Sequence, residues 1–345
     1  MHVLIIKTSS LGDVIQTFPV VEYLKQRDPS CHIDWLVEEE YVSLLSSLPG
    51  LNRVIGISTR QWKKQWFRTD IWQQVSKAIR EIQNKTYDLI LDLQGNTKSA
   101  LCTFFAKAKT KIGFGWNSVA EWPAYFAYHQ TIETDLSLPI QKRYYSLVQQ
   151  FFHDDLLFEP KEVYLKLTKE EEETLASYSK ADCKQILVAF GSKWENKKLS
   201  FCTWKEILQN IYDQQKAILY FPCLTEEEKW FAKEMAHFFP KASMLPCYSF
   251  ALLQHVIRKM DLVLAVDSAL LALCGTTSTP VLSLFGPTKG SVYQPVGKQN
   301  LFVQGVCPYG ISFVARCPRL RSCKTGACLK NINVAKVAAL FLNTD

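Results

Sequence analysis

The segment Lys7–Asp13 places a lysine, three hydroxyl residues, a glycine and a carboxylate directly after the apolar run Val3–Ile6. This pattern predicts a turn from a strand into a helix. A glycine there lets a ligand approach the backbone closely, and the free N–H groups at a helix start bind anions. A carboxylate beside them can act as a base, although a lone Asp at this place often only stabilises the helix. The combination predicts an enzyme that handles a phosphorylated substrate, with Asp13 as the first catalytic candidate.

A second candidate segment, Gly191–Lys198, follows the apolar run Ile186–Phe190 and contains three lysines. Lysine is a mobile point charge that suits a diphosphate. A solvated, lysine-rich loop explains the segment equally well. The glycine and lysine spacing is not that of a P-loop.

Two further turns follow apolar runs in the same half of the chain. Asp267 and Ser268 come directly after Leu262–Val266, and Gly286–Thr288 comes after Val281–Phe285. The first pair is either a helix cap or a second helix start that faces phosphate and sugar. The segment Gly286–Thr288, taken alone, is more typical of a structural turn than of a binding site.

The segment Arg60–Arg68 interleaves four cations with aromatic residues. Such a pattern suits an anionic amphiphile or a membrane surface, and it also suits stacking on nucleic-acid bases. The alternative is an amphipathic helix that buries Trp62 and Trp66. Four cations within nine residues favour the binding interpretation, but no recognisable nucleic-acid module is present, so we expect no nucleic-acid partner.

The elements that must position these residues alternate between strand-like and helix-like patterns, which predicts a mostly parallel α/β architecture. Ligands of open parallel sheets bind beyond the carboxyl ends of the strands. The turns Lys7–Asp13 and Gly191–Lys198 both lie just after such strand ends. The predicted strands are Val3–Ile6, His32–Val37, Arg53–Ile57, Asp88–Leu93, Ile186–Phe190, Ala217–Phe221, Asp261–Val266 and Val281–Phe285. The predicted helices are Val14–Lys25, Ile71–Ile82, Lys98–Ala106, Phe201–Tyr212 and Glu226–His237.

The composition is that of a globular protein, with 345 residues, 48% hydrophobic residues and a net charge of +7. This length predicts two domains, which we divide into residues 1–165 and 166–345. No apolar run approaches the length of a spanning helix, so we expect a cytoplasmic protein with its 11 cysteines reduced. Cys307, Cys317, Cys323 and Cys328 could together hold a structural zinc, but they lack the paired spacing of a strong zinc site. We therefore favour buried or idle thiols and predict no metal.

Four segments together resemble the bacterial lipopolysaccharide heptosyltransferases, and most closely the heptosyltransferase I type. The resemblance covers nearly the whole chain and is strongest at the amino terminus. The similar segments are Val3–Pro19, Asp34–Glu39, Arg60–Phe67 and Asp92–Ser99. Any one of them alone would be a weak signal, and their combination is specific.

The resemblance implies a GT-B architecture, with two Rossmann-like domains facing across a cleft. It implies an acceptor-binding domain at residues 1–165 and a nucleotide-sugar-binding domain at residues 166–345. The implied reaction is inverting transfer of heptose from ADP-heptose to a Kdo (3-deoxy-manno-octulosonic acid) residue on lipid A. The donor is a substrate, so no cofactor is implied. Because that acceptor is an anionic membrane lipid, we expect peripheral contact with the cytoplasmic face of the inner membrane.

The same resemblance implies the roles of individual residues. Asp13 matches the general base that takes the proton of the acceptor hydroxyl. The implied donor-binding residues are Ser10, Gly12, Ser192, Lys197, Glu226, Asp267 and Ser268. The implied acceptor-binding residues are Lys7, Arg60, Lys63, Lys64, Gln94 and Lys98.

The chain departs from the family at the donor signature, which is Asp-Thr-Gly, two variable residues and His. Here Ala269 stands in place of the glycine and Ala272 in place of the histidine, while Asp267 is kept. An acceptor-side arginine is also lost near Ala120. These changes leave two alternatives to ADP-heptose transfer. One is an enzyme that uses another nucleotide sugar, and the other is a non-catalytic protein that binds glycolipid or nucleotide. A nucleotide-sugar epimerase would not need the basic segment Arg60–Lys64.

Overall fold

Every strand pair in the two sheets of the described residues is parallel. The computed structural model describes residues 1–65, 67–159, 161–178, 182–215, 217–297 and 299–342, with only the backbone for Lys63, Gln214, Gln215 and Leu342. It divides into unit 1, residues 1–136 and 140–159, and unit 2, residues 137–139 and 160–345. The main division therefore lies a few residues before the expected boundary at 165/166.

Unit 1 is built on a sheet with the strand order β3-β2-β1-β4-β5-β6. Its strands are β1 (His2–Ile6), β2 (His32–Glu38), β3 (Arg53–Ile57), β4 (Thr86–Asp92), β5 (Lys107–Phe114) and β6 (Gln130–Ile132). Its α-helices are α1 (Leu11–Ile15), α2 (Phe18–Arg27), α3 (Val42–Ser47), α4 (Thr59–Lys64), α5 (Thr69–Gln83), α6 (Thr97–Phe105) and α7 (Ile140–Phe152). Short 3₁₀ segments occur at Glu39–Tyr41 and Trp122–Ala127.

Unit 2 repeats this plan with the order β12-β11-β10-β7-β8-β9. Its strands are β7 (Gln185–Ala189), β8 (Ile218–Pro222), β9 (Ala242–Leu245), β10 (Leu262–Val266), β11 (Val281–Phe285) and β12 (Leu301–Gln304). Its helices are α8 (Lys169–Ala176), α9 (Phe201–Gln215), α10 (Glu226–Ala236), α11 (Phe250–Ile257), α12 (Ala269–Cys274), α13 (Gly290–Tyr293), α14 (Ala327–Lys330) and α15 (Val334–Leu342). A 3₁₀ segment spans Glu195–Lys197.

Both sheets are covered by helices, so their central strands are apolar throughout. β1 and β10 are buried at Val3–Ile6 and at Leu262–Val266. In register, Ile6 pairs with Leu36 of β2 and with Asp92 of β4. The carboxyl ends of β1, β2 and β4 therefore meet at one edge of the sheet, as those of β7, β10 and β11 do in unit 2.

The predicted helix Val14–Lys25 is wrong in one respect, because the structure contains two helices there, α1 and α2. Pro19 lies in the first turn of α2. Proline has no N–H and its ring clashes with the carbonyl four residues earlier, so a helix cannot run through it undisturbed. The break confines Asp13 to a short helix directly after β1.

None of the helices in the described residues combines the length and the apolar composition that crossing a bilayer requires.

Candidate functional site

Asp13 lies in α1, at the carboxyl edge of the unit 1 sheet, and is partly exposed. The Ser10 hydroxyl donates to Asp13 Oδ2 over 2.7 Å, and the Ser10 amide lies 3.3 Å from the same oxygen. Gly12 lies between them within the helix, and its carbonyl accepts from the amide of Gln16. The turn after β1 thus fixes the position of the Asp13 carboxylate through two local contacts.

Asp92 is a buried carboxylate at the end of β4 that shapes the neighbouring loop. Its Oδ1 accepts from the amides of Gln94 (2.9 Å) and Gly95 (3.0 Å), and its Oδ2 accepts from the Tyr128 hydroxyl (2.9 Å). Burial raises the pKa of Asp92, and these donors oppose that shift. Gly95 has φ +68°, a left-handed conformation that favours glycine.

Gln94 connects this loop to the turn that carries Asp13. Its side-chain oxygen accepts from the Ser9 amide over 3.1 Å. Asp92 therefore positions Gln94, and Gln94 holds the residue next to Ser10. Asp92 is absent from the residues predicted to bind substrate, although a carboxylate that ends an apolar strand just before a glycine loop is a usable signal for such a role.

Lys7 is only 3% exposed. Its ammonium group donates to the carbonyl of Leu93 (2.8 Å) and to the hydroxyl of Tyr144 (2.7 Å), and it also lies over the Tyr144 ring. The structure thus holds Lys7 inside unit 1, where it ties β1 to the β4 loop and to α7. Direct contact between Lys7 and an acceptor stays a prediction.

Two basic residues beyond β3 and β4, Arg60 and Lys98, have acidic partners. Arg60 pairs with Glu40. The Lys98 ammonium lies 3.4 Å from the Glu38 carboxylate and 3.0 Å from the Thr59 hydroxyl. An anionic ligand at Arg60 or Lys98 would therefore replace a carboxylate that is already there. Lys64 is exposed, while the side chain of Lys63 and the whole of Trp66 lie outside the described residues.

In unit 2, the structure brings together three of the turns considered above. Lys197 Nζ lies 2.6 Å from Asp267 Oδ2, and the two side chains are 13% and 14% exposed. The Thr288 hydroxyl donates to the same carboxylate oxygen, and the Ser192 hydroxyl donates to the Asp267 carbonyl over 3.1 Å. These residues follow β7, β10 and β11, which are neighbours in the sheet. The turn Gly286–Thr288, for which a plain turn was the favoured interpretation, contributes to this cluster.

The first turn of α10 carries Glu226, whose side chain is 87% exposed and pairs with Lys229 over 2.6 Å. Its neighbour Glu228 is more buried, and burial raises the pKa of that carboxyl. The Glu228 carboxylate packs directly on Gly191 and leaves no space for a Cβ atom there. A side chain at position 191 would therefore have to displace the Glu228 carboxylate, whereas Glu226 faces solvent.

The four carboxy-terminal cysteines, Cys307, Cys317, Cys323 and Cys328, are free thiols that line one cavity of about 380 Å³. No group of three or more His, Cys, Asp or Glu side chains within the described part of the chain is arranged to hold a metal ion.

Residues 75–319, more than two thirds of the chain, match the family described as Glycosyltransferase family 9 (heptosyltransferase). The chain belongs to this family. It is therefore a glycosyltransferase of the heptosyltransferase type, and the resemblance inferred from its segments is confirmed.

Among its relatives, lipopolysaccharide heptosyltransferase 1 of Pseudomonas aeruginosa is 28% identical over 304 residues, which cover 87% of this chain and 83% of that protein. The Escherichia coli K12 protein of the same name is 27% identical over 308 residues, covering 87% and 92%. The solved structure of E. coli heptosyltransferase WaaC with ADP has a TM-score of 0.80 at 23% identity and covers 100% of both chains. E. coli ADP-heptose lps heptosyltransferase II has a TM-score of 0.69 at 16% identity, covering 99% and 100%. The structural likeness confirms the predicted α/β fold of the GT-B type.

The departures from the donor signature of this glycosyltransferase family lie on α12. Ser268 caps the helix by accepting from the Leu271 amide over 3.3 Å. Ala269 is the first helical residue, and His153 is the one non-glycine residue with positive φ in the described residues. Alanine is therefore not strained at position 269. Ala272 is buried, and its methyl group offers no hydrogen bond where the signature has histidine.

Proposed function

We propose that this glycosyltransferase transfers a heptose from ADP-heptose to a Kdo residue of the lipopolysaccharide inner core, with inversion at the anomeric carbon. The observation that carries the proposal is the Asp13 carboxylate, which Ser10 holds at the carboxyl edge of the unit 1 sheet. The names of the relatives support heptose transfer to lipopolysaccharide, and the name of the E. coli heptosyltransferase II structure supports ADP-heptose as the donor.

In this mechanism Asp13 takes the proton of the acceptor hydroxyl as that oxygen attacks the anomeric carbon of the donor. The bond between that carbon and the diphosphate oxygen breaks, and ADP leaves with the bonding electrons. One displacement from the opposite face inverts the configuration, so no covalent sugar–enzyme intermediate forms. The single base distinguishes this reaction from the paired carboxylates of glycoside hydrolysis.

The unit 2 cluster would stabilise the leaving group. Lys197 is a cation held by Asp267, and Ser192 contributes a hydroxyl beside it. Charge that develops on the departing diphosphate is stabilised most by donors that are already in position. Glu226, exposed at the start of α10, would bind the ribose hydroxyls of the donor. The reaction needs no cofactor beyond the donor substrate.

The acceptor would bind along unit 1. Arg60, Lys64 and Lys98 offer cations beyond β3 and β4 for its phosphates and carboxylates. Because such an acceptor is anchored in a bilayer, the enzyme would act at the cytoplasmic face of the inner membrane.

Transfer is tested with the purified wild type, ADP-heptose and a Kdo–lipid A acceptor, beside Asp13→Asn. We expect product from the wild type only, with an anomeric configuration opposite to that of the donor by NMR. Retention of configuration, or full turnover by Asp13→Asn, would overturn the mechanism. Added chelator should leave the rate unchanged.

Another nucleotide sugar is the second candidate donor, and Ala272 is the observation that favours it. A missing hydrogen bond to the sugar weakens discrimination by about 1.5–3 kcal/mol if the lost partner was charged. We expect Ala272→His to strengthen ADP-heptose binding in calorimetry. If this variant gains nothing and ADP-heptose binds no better than ADP, other nucleotide sugars become the donors to test.

A further inference from the structure

Helix α6 in unit 1 buries two hydroxyl side chains while large apolar side chains at its outer face are exposed. Ser99 and Thr103 are fully buried, whereas Leu101 is 54% and Phe104 66% exposed, and the neighbouring Phe105 is 40% exposed. A surface helix in water normally turns its apolar side to the core. Here two of the three buried positions of α6 belong to the polar loop network, because the Thr103 hydroxyl bonds to Asp92 and the Ser99 hydroxyl accepts from the Asn96 amide.

The 3₁₀ segment Trp122–Ala127 packs against α6 and also exposes aromatic side chains. Glu121, directly before the segment, accepts from the amide and hydroxyl of Thr97 at the start of α6, over 2.9 and 2.6 Å. Trp122 is 61% and Phe126 70% exposed, and their rings meet edge to face. We call the surface formed by Leu101, Phe104, Phe105, Trp122 and Phe126 the aromatic face. Large exposed apolar side chains on two elements that pack together are typical of an interaction surface.

The charge around the aromatic face selects the partner. Residues 59–127 contain eleven Lys and Arg against five Asp and Glu. When the ion-pair partners outside this range are included, namely Asp34, Glu38, Glu40 and Arg53, twelve cations face eight carboxylates and the excess is four positive charges. Two of these cations flank α6 directly. Lys111 donates to the carbonyl of Phe104 over 3.0 Å, and Lys107 is exposed just after the helix.

We propose that the aromatic face is the surface by which this protein docks on an anionic phospholipid bilayer. Aromatic side chains partition into the interfacial layer, and lysines beside them are attracted to anionic headgroups. A second copy of the chain fits less well, because a symmetric dimer would bring two faces of the same sign together. The contact lies on α6 and the 3₁₀ segment rather than on the Arg60–Arg68 segment alone.

The inference rests on the proposed function only for the identity of the membrane. It is tested by co-sedimentation of the full chain with phosphatidylcholine vesicles that contain or lack phosphatidylglycerol, with neither donor nor acceptor present. We expect binding to the anionic vesicles that weakens with salt, and weak binding to the neutral ones. Phe104→Ser combined with Trp122→Ser should reduce binding at least about tenfold.

Trp230→Ser is the matched control, because Trp230 is 59% exposed but lies on α10 of unit 2. This variant should bind vesicles like the wild type, and the double variant should keep the wild-type rate on a soluble, deacylated acceptor. Equal binding of the double variant and the wild type would overturn the proposal. So would a wild-type dimer in gel filtration that the double variant abolishes, since a second copy would then cover the face. Loss of transfer with intact vesicle binding would refute the proposed function alone.

Discussion

Lys197 and Asp267 form a largely buried ion pair, with 2.6 Å between Nζ and Oδ2, although 70 residues separate them in the chain. Thr288 adds a hydroxyl donor to the same carboxylate. Asp267 therefore fixes the Lys197 ammonium beyond the strand ends β7 and β10, where the diphosphate of the donor is proposed to lie.

Lys197→Ala should weaken ADP binding and slow transfer, each by about 10- to 100-fold, since a hydrogen bond to a charged group contributes about 1.5–3 kcal/mol. Calorimetry with ADP and steady-state kinetics measure the two effects separately. Lys198→Ala is the control, because Lys198 pairs with Glu227 and Glu195 rather than with the cluster. Unchanged ADP affinity in Lys197→Ala would remove the phosphate role.

Asp13→Asn should lower kcat by about 10²–10⁴-fold, the usual contribution of a general base, while the affinity for ADP stays the same. Ser10→Ala should cause a smaller loss, because it removes a contact that orients the Asp13 carboxylate. Rapid-quench kinetics with saturating substrates give the chemical step. Asp28→Asn, a surface change in the same unit, should behave as the wild type. A loss of ADP binding in Asp13→Asn would point to donor binding instead of base catalysis.

Arg60→Ala and Lys64→Ala should each raise the acceptor KM several-fold and flatten its dependence on salt, because they remove positive charge that an anionic acceptor meets. The donor KM should not change. Arg68→Ala provides the comparison, since Arg68 is exposed and engaged with its neighbour Asp70 at 2.9 Å. If all three variants raised the acceptor KM equally, the effect would be one of net charge and not of these positions.

Glu162 in unit 2 should make the free energy of unfolding depend on pH. Burial alone would raise its pKa, but hydrogen bonds from Ser278, Arg258 and Tyr164 outweigh burial and hold the pKa of Glu162 at about 2. A carboxyl whose folded pKa lies below its unfolded one stabilises the fold above the unfolded value, near 4.5, and loses that contribution as the pH falls toward 2. Solvent screening limits the effect to about 1–2 kcal/mol.

Urea unfolding of the wild type and Glu162→Gln at neutral pH and near pH 3 checks this dependence. The difference in unfolding free energy between the two proteins should shrink at the lower pH. Glu159→Gln serves as the reference substitution. A constant difference across the range would mean that Glu162 acts through packing and not through its charge.

The apolar strands next to the site, such as Val3–Ile6 and Leu262–Val266, follow from the sequence because continuous burial leaves a continuous apolar run. β5 was not predicted, because Lys107, Lys109 and Lys111 alternate with smaller residues in its exposed half and leave no continuous apolar run there. The short strands β6, β9 and β12 give too few residues for a pattern.

Some contacts between site residues could not be predicted from the sequence. They join residues that are distant in the chain and that neighbouring strands bring close together. Gln94 accepts from the amide of Ser9 across 85 residues because β1 and β4 lie side by side. Thr288 reaches Asp267 for the same reason, through β10 and β11. Local propensity carries no information on which strands become neighbours, so such contacts appear only in the folded chain.

The carboxylates that hold Arg60 and Lys98 have a consequence for selectivity. A ligand with one negative charge can displace Glu40 from Arg60. It then only replaces one ion pair by another, so the gain in binding free energy is small. A ligand with several negative groups exchanges several partners within one binding event, and the second exchange occurs at a high effective concentration. The affinity of this surface should therefore rise steeply with the number of charges on the ligand, so that abundant monovalent metabolites are excluded and polyanions are retained.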